Sequence, residues 1–122
     1  MVQIGKSVLY IGPCGTESIG WERALVSGGL SVASVTAPES AVNYVKNCDV
    51  RVVLISDQGE FDVSMLAACL KIASPQLRII ALGQSNASVD HVDTVVEKPV
   101  SLEALVSAVQ ENLFEYESAS NS

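Results

Sequence analysis

Residues 52–57 read VVLISD, an almost continuous apolar run that ends in a serine and an acid. An unbroken apolar run is typical of a strand that is buried on both faces, as in a parallel sheet covered by helices. A sheet with one face in water would instead show strict alternation. Runs of this kind recur along the chain, at Val8 to Ile11, Leu30 to Val35, Val50 to Ser56, Leu77 to Leu82 and Thr94 to Glu97. The sequence therefore predicts five parallel strands.

Helical signals lie between these runs. Segment 17–27 ends at a Gly-Gly pair that can cap its C-terminus, and segment 37–47 opens with a capping box at 36–39. Asp62 can cap the start of a third helix, which Pro75 stops. Strands that alternate with helices in this way indicate a doubly wound α/β domain.

The last helix is expected to start at Ser101, because apolar residues follow at helical spacing: Leu102, Leu105, Val106, Val109 and Leu113. The crossover before it, Ser85 to Asp93, can hold about two turns of helix at most, so we expect either a short fourth helix or a loop there. Residues 1–114 then form one domain, and 115–122 form a polar tail or linker.

Composition excludes several classes of function. The 122-residue chain carries 14 acidic and 7 basic side chains, a net charge of -7, and this predicts no binding to nucleic acid. The longest apolar run, Met65 to Leu70, is far shorter than the roughly 20 residues that cross a membrane. The first ten residues show no signal-peptide pattern, so we expect a cytoplasmic protein. Three scattered cysteines and one histidine predict neither disulfides nor zinc, and Cys48 and Cys69 are expected to be buried.

In an open parallel sheet, functional groups gather beyond the carboxyl ends of the strands. The sequence places Gly12, Pro13 and Cys14 there after the first run and Asp57 after the third. Gly83 and Gln84 follow the fourth run, and Lys98 and Pro99 follow the fifth.

With Asp57 after VVLIS and Lys98 in the motif Val-Glu-Lys-Pro, the sequence resembles the receiver domain of bacterial response regulators, the CheY-like family, over essentially its whole length. The resemblance implies a flavodoxin-like doubly wound parallel sheet with strand order 2-1-3-4-5. It also implies that Asp57 stands at the phosphoacceptor position and Lys98 at the phosphate-contacting position. The bond between Lys98 and Pro99 would be cis.

The sequence departs from the family pattern around this site. Gly12 and Pro13 stand where the family has a pair of metal-binding acids, Gly83 stands at the Ser/Thr switch position, and Val95 at the switch aromatic. We therefore expect no metal site and no cofactor, with weak Mg²⁺ binding at most. Glu17 and Glu60 are nearby in sequence. We expect Glu17 to lie in the first turn of a helix, where the helix dipole favours an acid, and Glu60 to be a solvated charge in a loop.

These features predict a non-enzymatic, degenerate receiver domain in signal transduction that acts by phosphorylation-independent protein contacts. Its partner would be a histidine kinase, an output domain or another signalling protein, and the sequence leaves a homodimer open. One alternative is a working two-component receiver phosphorylated on Asp57. Another is a phosphocysteine-type phosphotransferase domain that uses Cys14. Trp21 is either an anchor for the partner or, as the burial tendency of Trp favours, a core residue.

Overall fold

A computed structural model of the chain describes residues 7–12, 16–47, 50–56, 63–83, 92–96 and 101–120. Strands and helices alternate up to the fourth strand. The elements are β1 (Ser7–Ile11), α1 (Thr16–Ser27), β2 (Ser31–Val35), α2 (Pro38–Asn47), β3 (Val52–Ser56), α3 (Val63–Ala73), β4 (Arg78–Leu82), β5 (Thr94–Val96) and α4 (Leu102–Ser120). Each strand begins within two residues of its predicted run.

The five strands form one sheet in the order β2-β1-β3-β4-β5, and every neighbouring pair is parallel. This confirms the predicted fold class and strand order. All five residues of β3 are buried, as the unbroken apolar run predicts for a central strand. Residues 84–91, which hold most of the fourth crossover and its predicted short helix, lie outside the described residues.

Helices cover both faces of the sheet. On one face α1 and α4 pack on side chains such as Tyr10, Leu54 and Ile80. On the other face α2 and α3 pack on the alternate residues of the same strands, including Leu9 and Ile55. Because successive side chains of a strand point to opposite faces, an unbroken apolar run supplies both cores at once.

The starts of α2 and α4 show which roles the residues there have. In α2 the carbonyl of Ala37 accepts the first helical hydrogen bond, from the N–H of Ala41 at 3.2 Å. Pro38 is thus the first helical residue, a position that proline favours, and the helix starts one residue later than a capping box at Thr36 would place it. In α4 the Oγ of Ser101 accepts the N–H of Ala104 at 3.1 Å, as an N-cap does.

The last helix is longer than predicted. Leu105, Val109 and Leu113 are buried as expected, whereas Leu102 is 47% exposed. Residues 115–120, which the sequence assigned to a polar tail, are helical. The guanidinium of Arg51 lies 5.5 Å from the ring centroid of Tyr116, a cation–π contact that holds this last part of α4 against the domain.

One burial prediction was wrong and another is confirmed. Cys69 is exposed on α3, because the helix carries more apolar residues than its inner stripe needs. Cys48 and Cys14 lie outside the described residues. Trp21 is buried in the core, so it is no anchor for a partner. Among the described helices, none combines the length and the apolar content that a membrane span needs.

Candidate functional site

The carboxyl edge of the sheet is the candidate site. The structure brings Gly12, Ser56 and Gly83 to this edge, at the ends of β1, β3 and β4. The predicted site residues Pro13, Asp57, Lys98 and Pro99, together with Cys14 and Glu60, lie outside the described residues. Glu17 is the second residue of α1. The roles of these residues therefore remain predictions.

Gly12 lies in a crowded place on this edge. Its φ is 154°, which L side chains rarely adopt, and its N–H donates to the carbonyl of Val35 at 3.1 Å. A Cβ added here would lie 2.6 Å from the Cβ of Ser56 and 2.9 Å from the hydroxyl oxygen of Tyr10. Position 12 thus has neither the backbone conformation nor the space for a larger residue.

Tyr10 and Ser56 fill this space, and the sequence did not indicate either of them as a site residue. Tyr10 is buried, and its ring meets that of Trp21 edge to face, with centroids 5.9 Å apart and planes at 69°. This packing holds the ring while its hydroxyl reaches toward the carboxyl edge. The signal available in sequence was a tyrosine near the end of an otherwise aliphatic strand.

Gly83 follows the last residue of β4 and has a φ of 88°, in the left-handed region that favours glycine. Its N–H donates to the carbonyl of Val96 on β5 at 2.8 Å. The backbone at the predicted switch position is therefore fixed by a strand contact in a conformation that strains serine or threonine. Val95, at the predicted switch aromatic, pairs with Ala81 across the β4–β5 ladder and is partly buried.

Mg²⁺ is the metal that the receiver resemblance implies, and it requires oxygen ligands, usually from carboxylates. Position 12 supplies no carboxylate, and Ser56 and Tyr10 occupy the space in which one would stand. The described residues of this edge, Gly12, Ser56 and Gly83, therefore supply no carboxylate ligand for this metal. Within the ranges that the structure describes, no three His, Cys, Asp or Glu side chains come together.

A polar cluster that the sequence did not indicate lies at the opposite, amino edge. Asp93 accepts the Nζ of Lys71 at 2.9 Å and the backbone N–H of Ile79 at 2.8 Å, and its other oxygen lies 3.4 Å from Nη1 of Arg78. Through these contacts one carboxylate ties α3, β4 and the start of β5 together.

Asn112 extends this cluster into α4. It is only 2% exposed, and its Oδ1 accepts the Nε of Arg78 at 2.9 Å. Its Nδ2 donates to the Oγ1 of Thr94 at 3.1 Å and to the carbonyl of Ala108 at 2.8 Å. Buried polar atoms that are satisfied in this way fix relative positions, here those of α4, β4 and β5.

Solved structures of known proteins share this architecture. No protein-family model matches the sequence, and no curated protein matches it either. Solved structures do match. A response regulator receiver domain protein (CheY-like) from Methanospirillum hungatei gives a TM-score of 0.84 at 16% identity, with 95% of this chain and 99% of that chain covered.

Two further structures agree. A response regulator receiver protein from Sinorhizobium medicae gives a TM-score of 0.80 at 20% identity, covering 92% of this chain and 97% of its own. The signal receiver domain of an HD domain-containing protein from Pseudomonas fluorescens gives 0.85 at 15% identity, covering 99% and 96%. In strand order, in the placing of its helices and in its extent, this chain has the fold of the response regulator receiver (CheY-like) domain.

Proposed function

We propose that this domain works in signal transduction as a degenerate receiver, which passes signals by protein contacts that do not depend on phosphorylation. In a working receiver, phosphoryl transfer to the acceptor aspartate requires a metal ion that neutralises the developing charge. The proposal therefore depends on whether the carboxyl edge can hold such an ion.

Gly12 carries the proposal. It stands at one of the two positions where the resemblance places metal-binding acids, and its φ of 154° and the 2.6 Å approach to Ser56 leave no room for one. An acid at this position would require Ser56 or the surrounding backbone to shift, which supports the proposal.

Gly83 gives independent support at the switch. A hydroxyl that follows the phosphoryl group needs a Ser or Thr side chain there, and the φ of 88° disfavours both. Val95 supports the proposal as well, because β5 then carries no aromatic ring at the position where, in the family, a ring moves on phosphorylation. The alternative, a live receiver, would need a working acceptor at Asp57, a working switch residue at position 83 and a working side chain at position 95.

Asp57 and Lys98 have a different role under this proposal. We expect them to form an ion pair in which the Lys98 ammonium takes the place of the metal as the charge partner of Asp57. Such a pair stabilises the edge but transfers nothing. Cys14, on which the alternative of a phosphotransferase domain depends, lies outside the described residues.

The partner is proposed to be a signalling protein, such as a histidine kinase or an output domain. The structure from Pseudomonas fluorescens is, by its description, the receiver domain of an HD domain-containing protein, so this fold does occur attached to a second module. We propose action in the cytoplasm, where such partners work.

A two-dimensional amide NMR titration with Mg²⁺, followed by beryllofluoride as a stand-in for the phosphoryl group, tests the proposal. We expect the resonances of Gly12, Gly83 and Val95 to stay unshifted through low-millimolar Mg²⁺ and after beryllofluoride. Shifts that start beside Asp57 and spread to Gly83 and Val95 would instead establish a live receiver. Asp57→Asn is the matched control, since it removes the acceptor without changing its size.

A further inference from the structure

The surface formed by α2 and α3 carries an apolar stripe in an acidic protein. Met65, Cys69 and Ile72 face solvent on α3, with Met65 67% and Ile72 82% exposed. Their spacing of four and then three residues aligns them along one side of the helix. The same spacing forms the seam between packed helices, so the stripe is suited to contact another helix.

No charge interrupts this stripe. The only charged residue of α3 is Lys71, and its ammonium is already bound by Asp93 at 2.9 Å and by the carbonyl of Leu77 at 2.6 Å. The chain as a whole has a net charge of -7, so two copies repel each other wherever acidic surfaces meet. The uncharged stripe on α3 is where that repulsion is weakest.

Beside the stripe, a groove of about 540 Å³ separates α3 from α2. Val42, Met65 and Leu66 give it an apolar lining, and Glu39 and Cys69 also border it. Both helices follow strands of one parallel sheet and return the chain to its amino edge, so they run in the same direction. Glu39 in the first turn of α2 is therefore level with Met65 near the start of α3.

The charges on α2 indicate which molecule would bind this face. Glu39 lies in its first turn and Lys46 in its last, and both are exposed. These two residues are seven apart, as Met65 and Ile72 are, which is about 10 Å along a helix. A twofold axis level with Cys69 would make the α3 helices of two copies antiparallel. It would set each Met65 against Ile72 of the other copy, and each Glu39 against Lys46 of the other copy.

We propose that a second copy of this chain docks on the α2–α3 face, with the stripe at its centre and two reciprocal Glu39–Lys46 pairs at its edges. Such an interface is self-complementary, as twofold symmetry requires. It goes beyond the proposed function by naming one contact surface, and it does not involve the carboxyl edge.

Sedimentation equilibrium of the full chain at rising concentration is the first test. We expect the mass to rise from 12.8 kDa toward twice that value, and to fall again on dilution. A single 12.8 kDa species at all concentrations up to about 1 mM overturns the inference.

Substitutions locate the contact. Ile72→Lys is expected to raise the dissociation constant of the dimer about tenfold or more, because it buries a charge at the seam. Phe114→Lys is the matched control, since Phe114 is likewise a large exposed apolar residue, at 67% against 82% for Ile72, but lies on α4. A dimer that resists Ile72→Lys, or one that Phe114→Lys disrupts equally, contradicts the proposed face. Circular dichroism checks that both variants remain folded.

A charge exchange tests the symmetry. Glu39→Lys alone and Lys46→Glu alone each set like charges together and should weaken the dimer, whereas the double variant restores both pairs and should recover it. Failure of the double variant to recover excludes the antiparallel arrangement. A monomeric chain in which another protein's helix binds this face would likewise refute self-association. Either failure leaves the NMR test of the proposed function unaffected, and a response to beryllofluoride would not affect the dimer.

Discussion

A Cβ at position 12 would lie 2.6 Å from the Cβ of Ser56, so the ends of β1 and β3 approach each other as closely as glycine permits. This relationship lies at the position where the receiver resemblance places a metal-binding acid. The glycine at this position is therefore part of the packing of the sheet edge. Reintroducing an acid would require the edge to open.

The packing around Gly12 predicts an unusual cost for alanine. Gly12→Ala combines a positive φ with overpacking, and we expect it to lower the free energy of unfolding by about 2–4 kcal/mol. Gly29→Ala is the control, since Gly29 also has a positive φ, 92°, but an added Cβ there meets nothing within 4 Å. It should cost only about 1 kcal/mol. Urea unfolding of both variants measures the difference, and equal costs would contradict the crowding.

The backbone at Gly83 predicts that the switch hydroxyl cannot simply be restored. Gly83→Ser forces a β-carbon into a φ of 88° and should lower the free energy of unfolding by about 1–2 kcal/mol. We expect the variant to remain unresponsive to beryllofluoride, because the other altered positions are unchanged. Thermal unfolding and an NMR titration of the variant measure both effects. A stable Gly83→Ser variant that shifts on beryllofluoride would show that one hydroxyl was all that the site lacked.

The five strands followed from the sequence because burial on both faces imposes a local pattern on each, whereas their order followed from the resemblance to the receiver family. The 36–39 capping box and the exposure of Cys69 show the limit of such patterns. The helix start shifted by one residue because proline favours the first helical position, and α3 is apolar on more than its inner face.

The candidate site was less accessible to sequence reasoning. Gly12 and Gly83 were identified as departures, but the contact of Gly12 with Ser56 and Tyr10 depends on the register between β1 and β3. The pairing of Asn112 with Arg78 joins residues 34 positions apart, and no local signal marks either one. Long-range polar contacts of this kind are visible only once the chain is folded.

Asn112 predicts how strongly α4 is held to the sheet. Asn112→Ala removes the acceptor of Arg78 and the donor to Thr94, and we expect it to lower the free energy of unfolding by about 1–3 kcal/mol. Gln110→Ala, on the same helix but exposed, should change it by less than about 0.5 kcal/mol. Chemical denaturation compares the two. If the two substitutions have the same small effect, the cluster at the amino edge does not stabilise the fold.

The proposed ion pair predicts that Asp57 contributes to the stability of the fold and not to the affinity for a protein partner. If Asp57 is the partner of Lys98 in an ion pair, Asp57→Asn should weaken the fold while leaving the affinity for a protein partner unchanged. Lys98→Met should weaken the fold in the same way, and the double variant should lose less than the sum of the two single losses. Unfolding measurements on this cycle test the pair. Strictly additive losses would mean that the two side chains do not interact.

The most direct test of the central claim is intact-protein mass spectrometry after incubation with Mg²⁺ and acetyl phosphate, a small-molecule phosphodonor, in parallel with the Asp57→Asn variant. The account predicts that the mass of the native chain stays unchanged, as that of the variant does. A gain of one phosphoryl group by the native chain, absent from Asp57→Asn, would show that Asp57 is a working acceptor and would contradict the claim that the phosphorylation site is degenerate.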